Sequence, residues 1–296
     1  MNSRPPAVTV GMPVYNGQQY LSDAVDSVLE QTFRDFILVI SDNASTDSTQ
    51  QICEEYARRD ARVRYVRQDT NRGAVWNFNE VARLSATPLF AWLCADDCMC
   101  PTYLEVCVST LDVRTEAIVV YTEAISIDER GNALPYSLRA LPVGSPRVAE
   151  RFSACLAPFL YGENVLYGVM KTSAVRQTRV LGPFGGSDRA FLAELSLYGP
   201  FARVDQALFR RRVPDVGRSE AEVQKYNTGQ GRRLSLREWR ILGWNLQSVW
   251  RAPAGGRAPL YRAVMRRLFK QRGLYFTELA MALKGLVTPV RQTPPG

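Results

Sequence analysis

Leu89-Phe90-Ala91-Trp92-Leu93-Cys94-Ala95-Asp96-Asp97 decides how this chain is read. An apolar run ends in two adjacent carboxylates, and Pro101 follows shortly after. Runs of this length, bounded by turn signals, read as strands buried on both faces. In open α/β sheets, ligands collect at the carboxyl ends of such strands. Two carboxylates there offer hard oxygens suited to Mg²⁺ or Mn²⁺, which arrive with a substrate's phosphates. A second reading is a polar turn leading into the helix after Pro101, because aspartate caps helix N-termini well. The other strand ends of the chain decide between the two.

Upstream, Val8, Val10 and Met12 form a first strand, broken by Pro13-Val14-Tyr15-Asn16-Gly17. Leu21, Ala24, Val25, Val28 and Leu29 then follow helical spacing between Gln18 and Gln31. Phe36–Ile40 is a second buried strand and ends in Ser41-Asp42-Asn43-Ala44-Ser45-Thr46-Asp47. Ser45 reads as the N-cap of a helix running to Arg59. Val63–Val66 is a third strand, Asn71-Arg72-Gly73 a turn, and Ala74–Leu84 a helix. After the opening strand come a helix over 101–112 and a strand over Ala117–Tyr121. Strands alternating with helices predict an α/β fold with a doubly wound, mostly parallel, Rossmann-like sheet. Such a sheet brings Tyr15 and Asn16, Asp42 and Asn43, and Asp96 and Asp97 to one edge. An aromatic ring, amides and carboxylates converging there suit a nucleotide with a cation on its diphosphate. Neither G-x-G-x-x-G nor a Gly-Lys-Ser/Thr loop occurs, so a cation takes over the role of those phosphate cradles.

The chain has 296 residues, 46% of them hydrophobic, which is ample for a large core. It contains no histidine, which excludes Ser-His-Asp and Cys-His catalysis and leaves Asp, Glu, Lys, Tyr or Cys as a general base. Six cysteines fit buried, reduced thiols, and the spacing of Cys94, Cys98, Cys100 and Cys107 matches no zinc pattern. The opening residues lack the apolar core of a signal peptide and no apolar run spans a bilayer, so the expected location is cytoplasmic. The net charge of +8 is uneven: residues 1–200 carry 18 Lys/Arg against 23 Asp/Glu, and residues 201–296 carry 19 against 6. The last third therefore faces something anionic, such as phosphate or a membrane surface. No nucleic-acid-binding module accompanies the basic tail, so nucleic acid is not an expected partner.

Val10–Gly17, Gln31-Thr32-Phe33, Ser41–Asp47, Asn71-Arg72-Gly73 and Ala95-Asp96-Asp97 together resemble the inverting family 2 glycosyltransferases of the GT-A fold, over about residues 7–213. The resemblance implies a nucleotide-diphosphate sugar donor. It implies that Pro13, Tyr15, Asp42 and Asn43 line the nucleoside pocket, with Asn16 and Arg72 in the same motifs. Asp96-Asp97 stands where the family has its Asp-x-Asp-type motif, which makes Asp97 the ligand for Mn²⁺ or Mg²⁺. Asp96 is then its neighbour, facing the ribose or the metal. Ser187-Asp188-Arg189 matches the segment that supplies the family's catalytic base, which assigns that role to Asp188. Read without the family, Asp188 is equally a first-turn acid favoured by the helix dipole. The chain departs from the pattern at Val213, where many relatives carry a histidine after a basic pair. Arg211 and its neighbours are then the groups left to neutralise the diphosphate, and strict metal dependence is not implied.

The expected division is a nucleotide-sugar-binding half over 1–115, an acceptor-binding and catalytic half over 116–215, and a basic C-terminal helical region over 216–296. Arg130-Gly131-Asn132 reads as a hairpin turn, Leu134–Pro146 as a loop near the acceptor site, Val148–Ala157 as a helix, and Asn164–Met170 as a strand. In the tail, Leu234–Trp250, Leu260–Lys270 and Leu274–Val287 read as helices. These either pack on the catalytic domain or meet a membrane surface as basic, aromatic-rich amphipathic helices. The function expected is inverting transfer of a sugar to the hydroxyl of a glycan, lipid-linked or small-molecule acceptor in polysaccharide, glycolipid or other glycoconjugate synthesis. The alternative is a catalytically degenerate sugar-nucleotide-binding protein.

Overall fold

The computed structural model describes residues 6–137, 143–156, 163–213, 236–252 and 256–287. Its N-terminal half alternates strands and helices as β1 (Val8–Val14), α1 (Leu21–Leu29), β2 (Phe36–Asp42), α2 (Thr49–Arg59), β3 (Val63–Arg67), α3 (Ala74–Leu84) and β4 (Leu89–Trp92). These four strands are parallel, in the order β3-β2-β1-β4. The chain leaves β1 toward β3 on one side and returns to β4 on the other, so β1 and β4 flank a topological switch point. Crevices at such points are where open α/β sheets bind ligands.

The second half mixes directions. It runs through β5 (Cys98–Met99), α4 (Tyr103–Val113), β6 (Val119–Ile127), β7 (Ala133–Ser137), α5 (Val148–Cys155), α6 (Glu163–Leu166), β8 (Val169–Lys171), α7 (Thr172–Val175), α8 (Ser187–Leu195) and β9 (Phe201–Arg212). β8 joins β4 to β6 with antiparallel pairing on both sides, β9 lies parallel to β6, and β5 pairs antiparallel with β9. Only residues 93–97 separate β4 from β5 in the sequence, although β8, β6 and β9 lie between them in the ladder. A flat ladder would set β4 and β5 four spacings of about 4.8 Å apart. The connecting loop is turned, with Asp97 N–H donating to the Cys94 carbonyl at 3.2 Å, so the sheet curls to bring the end of β9 beside the carboxylates.

Two apolar clusters cover the two faces. Val8, Val10, Met12, Leu21, Val25, Leu38, Ile40 and Leu104 fill one. Phe90, Trp92, Phe152, Phe191 and Leu195 fill the other, joined by residues of α9 (Arg237–Arg251), α10 (Arg257–Lys270) and α11 (Arg272–Val287). Leu242, Val249, Leu260, Val264 and Tyr275 supply that contact, so the C-terminal helices share one core with Trp92.

Three local expectations are overturned. Ser45 is not the cap of α2: its Oγ accepts the Asn16 N–H at 2.9 Å, and α2 begins only at Thr49. The loop needs Ser45 to hold the β1 turn. Asn164–Gly168 is not strand. It takes a helical turn at Glu163–Leu166, because Tyr167 O accepts the buried Tyr103 hydroxyl at 2.7 Å and Gly168 lies against the Val120 carbonyl, where a Cβ would come within 2.8 Å. The hairpin turn at Arg130-Gly131-Asn132 forms as expected, between β6 and β7. Of the Leu134–Pro146 stretch, read as a loop, residues 134–137 are strand instead, held in β7 by antiparallel pairing with β6, and residues 138–142 lie outside the described residues.

Candidate active site

Parallel strands end together, and the loops beyond β1, β2 and β4 are bonded into one surface. Gly17 in the β1 turn sits against Ala95 of the carboxylate loop, close enough that a Cβ there would lie 3.5 Å from the alanine's. Asn16, in the left-handed region at φ 51°, accepts the Thr46 N–H on its Oδ1 at 2.8 Å, tying the β1 turn to the β2 loop. Asn43 N–H donates to the Val14 carbonyl at 2.9 Å. The Asn43 side chain donates to Asn71 Oδ1 at 2.8 Å and to the Gly73 carbonyl, and accepts the Arg72 N–H at 3.0 Å. The structure thus brings together Pro13, Tyr15, Asn16, Asp42, Asn43 and Arg72.

Their roles divide in a way the sequence does not show. Asp42 is fully buried: Oδ1 accepts the Ser45 N–H at 2.8 Å, and Oδ2 accepts the Tyr65 hydroxyl at 2.7 Å and Arg67 at 2.6 Å. Arg67 also donates to the Ser45 carbonyl. Asp42 and Asn43 are therefore spent on building the loops. Burial and the Asp42 charge push the Tyr65 hydroxyl well up from its ordinary value, which keeps it a neutral donor. Facing solvent are Tyr15, 39% exposed, Asn16, and Arg72, whose guanidinium lies 4.6 Å from the Trp76 ring centre. Tyr65, Arg67 and Trp76 were not anticipated. Arg67 closes β3, so the strand-end rule that picked out Asp42 reaches it too.

Asp96, Asp97 and the Cys94 thiol present ligand atoms within 4.8 Å of one another. Asp97 is buried and Asp96 exposed. Burial, then the Asp96 charge, push the Asp97 carboxyl well above the usual range, against the Arg212 N–H and the Arg211 and Arg212 charges, which pull it down. Cys94 is held up likewise by burial and contacts the Tyr167 hydroxyl at 3.3 Å, so it is a neutral packing thiol. Two hard oxygens remain, one of them on a buried carboxyl group. That donor set fits Mg²⁺ or Mn²⁺.

Arg212 anchors this loop. Its N–H donates to Asp97 Oδ1 at 2.9 Å, and its side chain reaches the carbonyls of Asp96, Asp128 and Glu129. It also pairs with Asp23 and lies 4.2 Å from the Tyr20 ring centre. Residues alternate along a strand, so Arg211 points to the other face of β9. There its charge acts on both Cys94 and Asp97.

Asp188 lies in the first turn of α8, half-buried, after Gly186 at φ 79°. A Cβ at Gly186 would come within 2.9 Å of Ile241, so both the backbone angle and the space there require glycine. Phe191, three residues on and on the same helical face as Asp188, stands edge-on to Trp92 with ring centres 5.4 Å apart. The start of α8 is thereby set beside the end of β4. Among the described residues, no hydrogen bond or ion pair engages the Asp188 carboxylate.

The C-terminal helices brace α8 through charges. Arg189, next to Asp188, pairs with Glu238 at 3.0 Å, and Glu238 pairs with Arg267 of α10 at 2.7 Å. Arg179 stacks 3.8 Å from the Trp244 ring centre and pairs with the buried Glu194 of α8. Burial would raise the Glu238 carboxyl, but Arg189 and Arg267 outweigh it and hold it below the usual range. A depressed native pKa contributes stability that is present above the unfolded value and lost as pH falls through the native one. Glu238→Gln leaves two arginines sharing no anion and is expected to cost on the order of 3 kcal/mol. Urea unfolding at pH 7 measures that loss, and the gap to the unsubstituted chain should shrink below about pH 4.

The sequence and the fold recur in other proteins. The model of the family described as Glycosyl transferase family 2 matches residues 9–171. The putative glycosyltransferase EpsE of Bacillus subtilis is 31% identical over 226 residues, covering 72% of this chain and 78% of that protein. The chondroitin synthase of Escherichia coli is 33% identical over 131 residues, of which the chain spans only 19% of that protein's length. A second curated relative, an uncharacterised glycosyltransferase of Methanocaldococcus jannaschii, is spanned for 45% of its length. In three dimensions, Staphylococcus aureus TarS 1-349 aligns with a TM-score of 0.66 at 16% identity, over 92% of this chain and 74% of that one. The mannosyltransferase PcManGT of Pyrobaculum calidifontis, solved with GDP-Man and Mn²⁺, aligns with a TM-score of 0.52 at 14% identity, over 95% of this chain and 81% of that one. Sequence match and shared curled sheet agree, and the chain belongs to the family 2 glycosyltransferases, with their GT-A fold.

Proposed function

We propose that the protein is an inverting glycosyltransferase that moves a sugar from a nucleoside-diphosphate sugar to an acceptor hydroxyl. The observation that carries this reading is the buried Asp97 beside Asp96 at the switch-point edge, with the cationic end of β9 on one side and, in the first turn of the helix whose Phe191 packs on Trp92, the carboxylate of Asp188. Two adjacent carboxylates, one of them buried, suit a cation-bound diphosphate, and a separate carboxylate suits proton removal. TarS with UDP-GlcNAc and PcManGT with GDP-Man and Mn²⁺ support a donor and a cation of these classes.

Tyr15 and Arg72 meet the nucleoside, on loops shaped by Pro13, Asn16, Asp42 and Asn43. Asp96 and Asp97 would hold a divalent cation, which would supply positive charge for the departing diphosphate. Asp188 takes the acceptor hydroxyl's proton as that oxygen bonds to the anomeric carbon from the face opposite the leaving group. The bond from that carbon to the phosphate oxygen breaks, and its electron pair leaves with the nucleoside diphosphate. Arg211 opposes the charge that develops there. The acceptor is a glycan, a lipid-linked saccharide or a small molecule, which places the reaction in glycoconjugate synthesis.

Thermal unfolding with UDP, GDP, dTDP, CDP and ADP, each with and without Mn²⁺, tests the donor site. A ligand that binds only the folded state raises its stability, by about 2.7 kcal/mol at a hundredfold excess over Kd. One nucleotide should raise the melting temperature by several degrees with Mn²⁺ and by less without it. No shift with any of them contradicts the reading. Binding without any turnover of the matching nucleotide sugar favours the degenerate binder.

A further inference from the structure

α11 is apolar yet largely uncovered. Leu274, Phe276, Leu279 and Met281 are exposed, Phe276 and Met281 by 67% and 66%, while Tyr275 and Ala282 are the residues it buries among those described. A helix that is apolar all round needs a cover on every side. α10 adds a second face: Leu260, Ala263, Val264 and Arg267 turn inward, and Arg262, Met265, Arg266, Phe269 and Lys270 turn outward. Gln271 alone separates the two helices, so exposed Phe269, Lys270, Arg272 and Leu274 cluster at their junction. From Arg257 to Ala282 the sequence holds six Arg or Lys and one acidic residue, Glu278. No helix among the described residues is long and apolar enough to cross a membrane.

We propose that the outer face of α10 and the exposed surface of α11 dock on an anionic lipid bilayer, lying in its interface. Charge complementarity selects this occupant. Long basic side chains reach the anionic headgroups while the aromatic and aliphatic groups between them enter the acyl boundary. A protein partner matched to this surface would need an acidic rim around an apolar groove, whereas an anionic bilayer supplies both along its whole plane. The proposal stands apart from the transfer chemistry, because none of these residues belongs to the nucleotide or carboxylate site.

Co-sedimentation of the full chain with vesicles tests it. The chain should pellet with phosphatidylcholine vesicles containing about one-third phosphatidylglycerol and far less with phosphatidylcholine alone, and raised salt should weaken the binding. The triple variant Phe269→Ser, Phe276→Ser, Met281→Ser keeps every charge and should bind about tenfold less. The variant Arg262→Gln, Arg266→Gln, Lys270→Gln should lose its preference for anionic vesicles. Both should keep the melting temperature and the nucleotide-induced shift of the unsubstituted chain. No pelleting with anionic vesicles overturns the proposal, and so does unchanged binding by the serine variant. A dimer in light scattering that the serine variant abolishes overturns it as well, by assigning the face to a second copy.

Discussion

Asp188→Asn is expected to lower sugar transfer by about 10³-fold, within the 10²–10⁴ that a positioned general base contributes. Nucleotide binding should survive. Asparagine keeps the size of the side chain and cannot take a proton. The surroundings that set its position are independent of its charge: Gly186 in its left-handed turn, Phe191 on Trp92, and Arg189 on Glu238. Rates measured with the matching nucleotide sugar, alongside melting shifts with the nucleoside diphosphate, separate the outcomes. Lost transfer with an intact shift assigns the base. A rate near that of the unsubstituted chain removes Asp188 from the chemistry. Loss of both means that Asp188 shapes the donor site instead.

Asp97→Asn should also lower transfer, but through the cation rather than the proton. Asp97 is buried beside Asp96, and the positive groups around it do not bring its carboxyl back to the usual range. A native pKa raised above the unfolded one gives stability that is full below the unfolded value and lost as pH rises through the native value. That loss of stability falls on the cation-free protein. Asparagine relieves it and can still accept the Arg212 N–H through Oδ1. The cation-free variant should melt a few degrees higher, the scale that about 1 kcal/mol gives in a chain of this size. The Mn²⁺-dependent part of the nucleotide shift should vanish, and transfer should fall by at least about 10²-fold. An unchanged Mn²⁺ effect would remove Asp97 from the cation site. Stability given up at a functional residue in this way is the expected sign of a binding site.

The parallel half of the fold is legible in the sequence because its signals are local. Phe36–Ile40 and Leu89–Leu93 are apolar throughout, as strands buried on both faces must be, and the helices between them keep one apolar stripe. The second half is less legible because its pairing is not local. Nothing in Val169–Lys171 says that these residues join β4 to β6, or that Phe201–Arg212 runs the length of β6. Asn164–Gly168 shows the limit: its apolar pattern suits a strand, and the Tyr103 hydroxyl and the Val120 carbonyl, both remote in sequence, decide for a turn.

The candidate site divides in the same manner. Strand ends locate Tyr15, Asp42 and Asp96-Asp97 without a structure. What Asp42 bonds to depends on Tyr65 and Arg67, more than twenty residues away, so its role as a loop builder is hidden. Alternation along β9 separates Arg211 from Arg210 and Arg212, but which face turns toward the carboxylates follows from the curl of the sheet. The apolar surface of α11 is visible in the sequence as composition, and its exposure is visible only in the packing.

Release of nucleoside diphosphate from a panel of α-linked nucleotide sugars, with Mn²⁺ and water as the default acceptor, tests the central claim most directly. Proton NMR of the freed sugar reads which anomer appears first. One donor should be consumed, its sugar should appear first as the β anomer, and Asp188→Asn should stop the release. Consumption of no donor, or first appearance of the α anomer, contradicts the account.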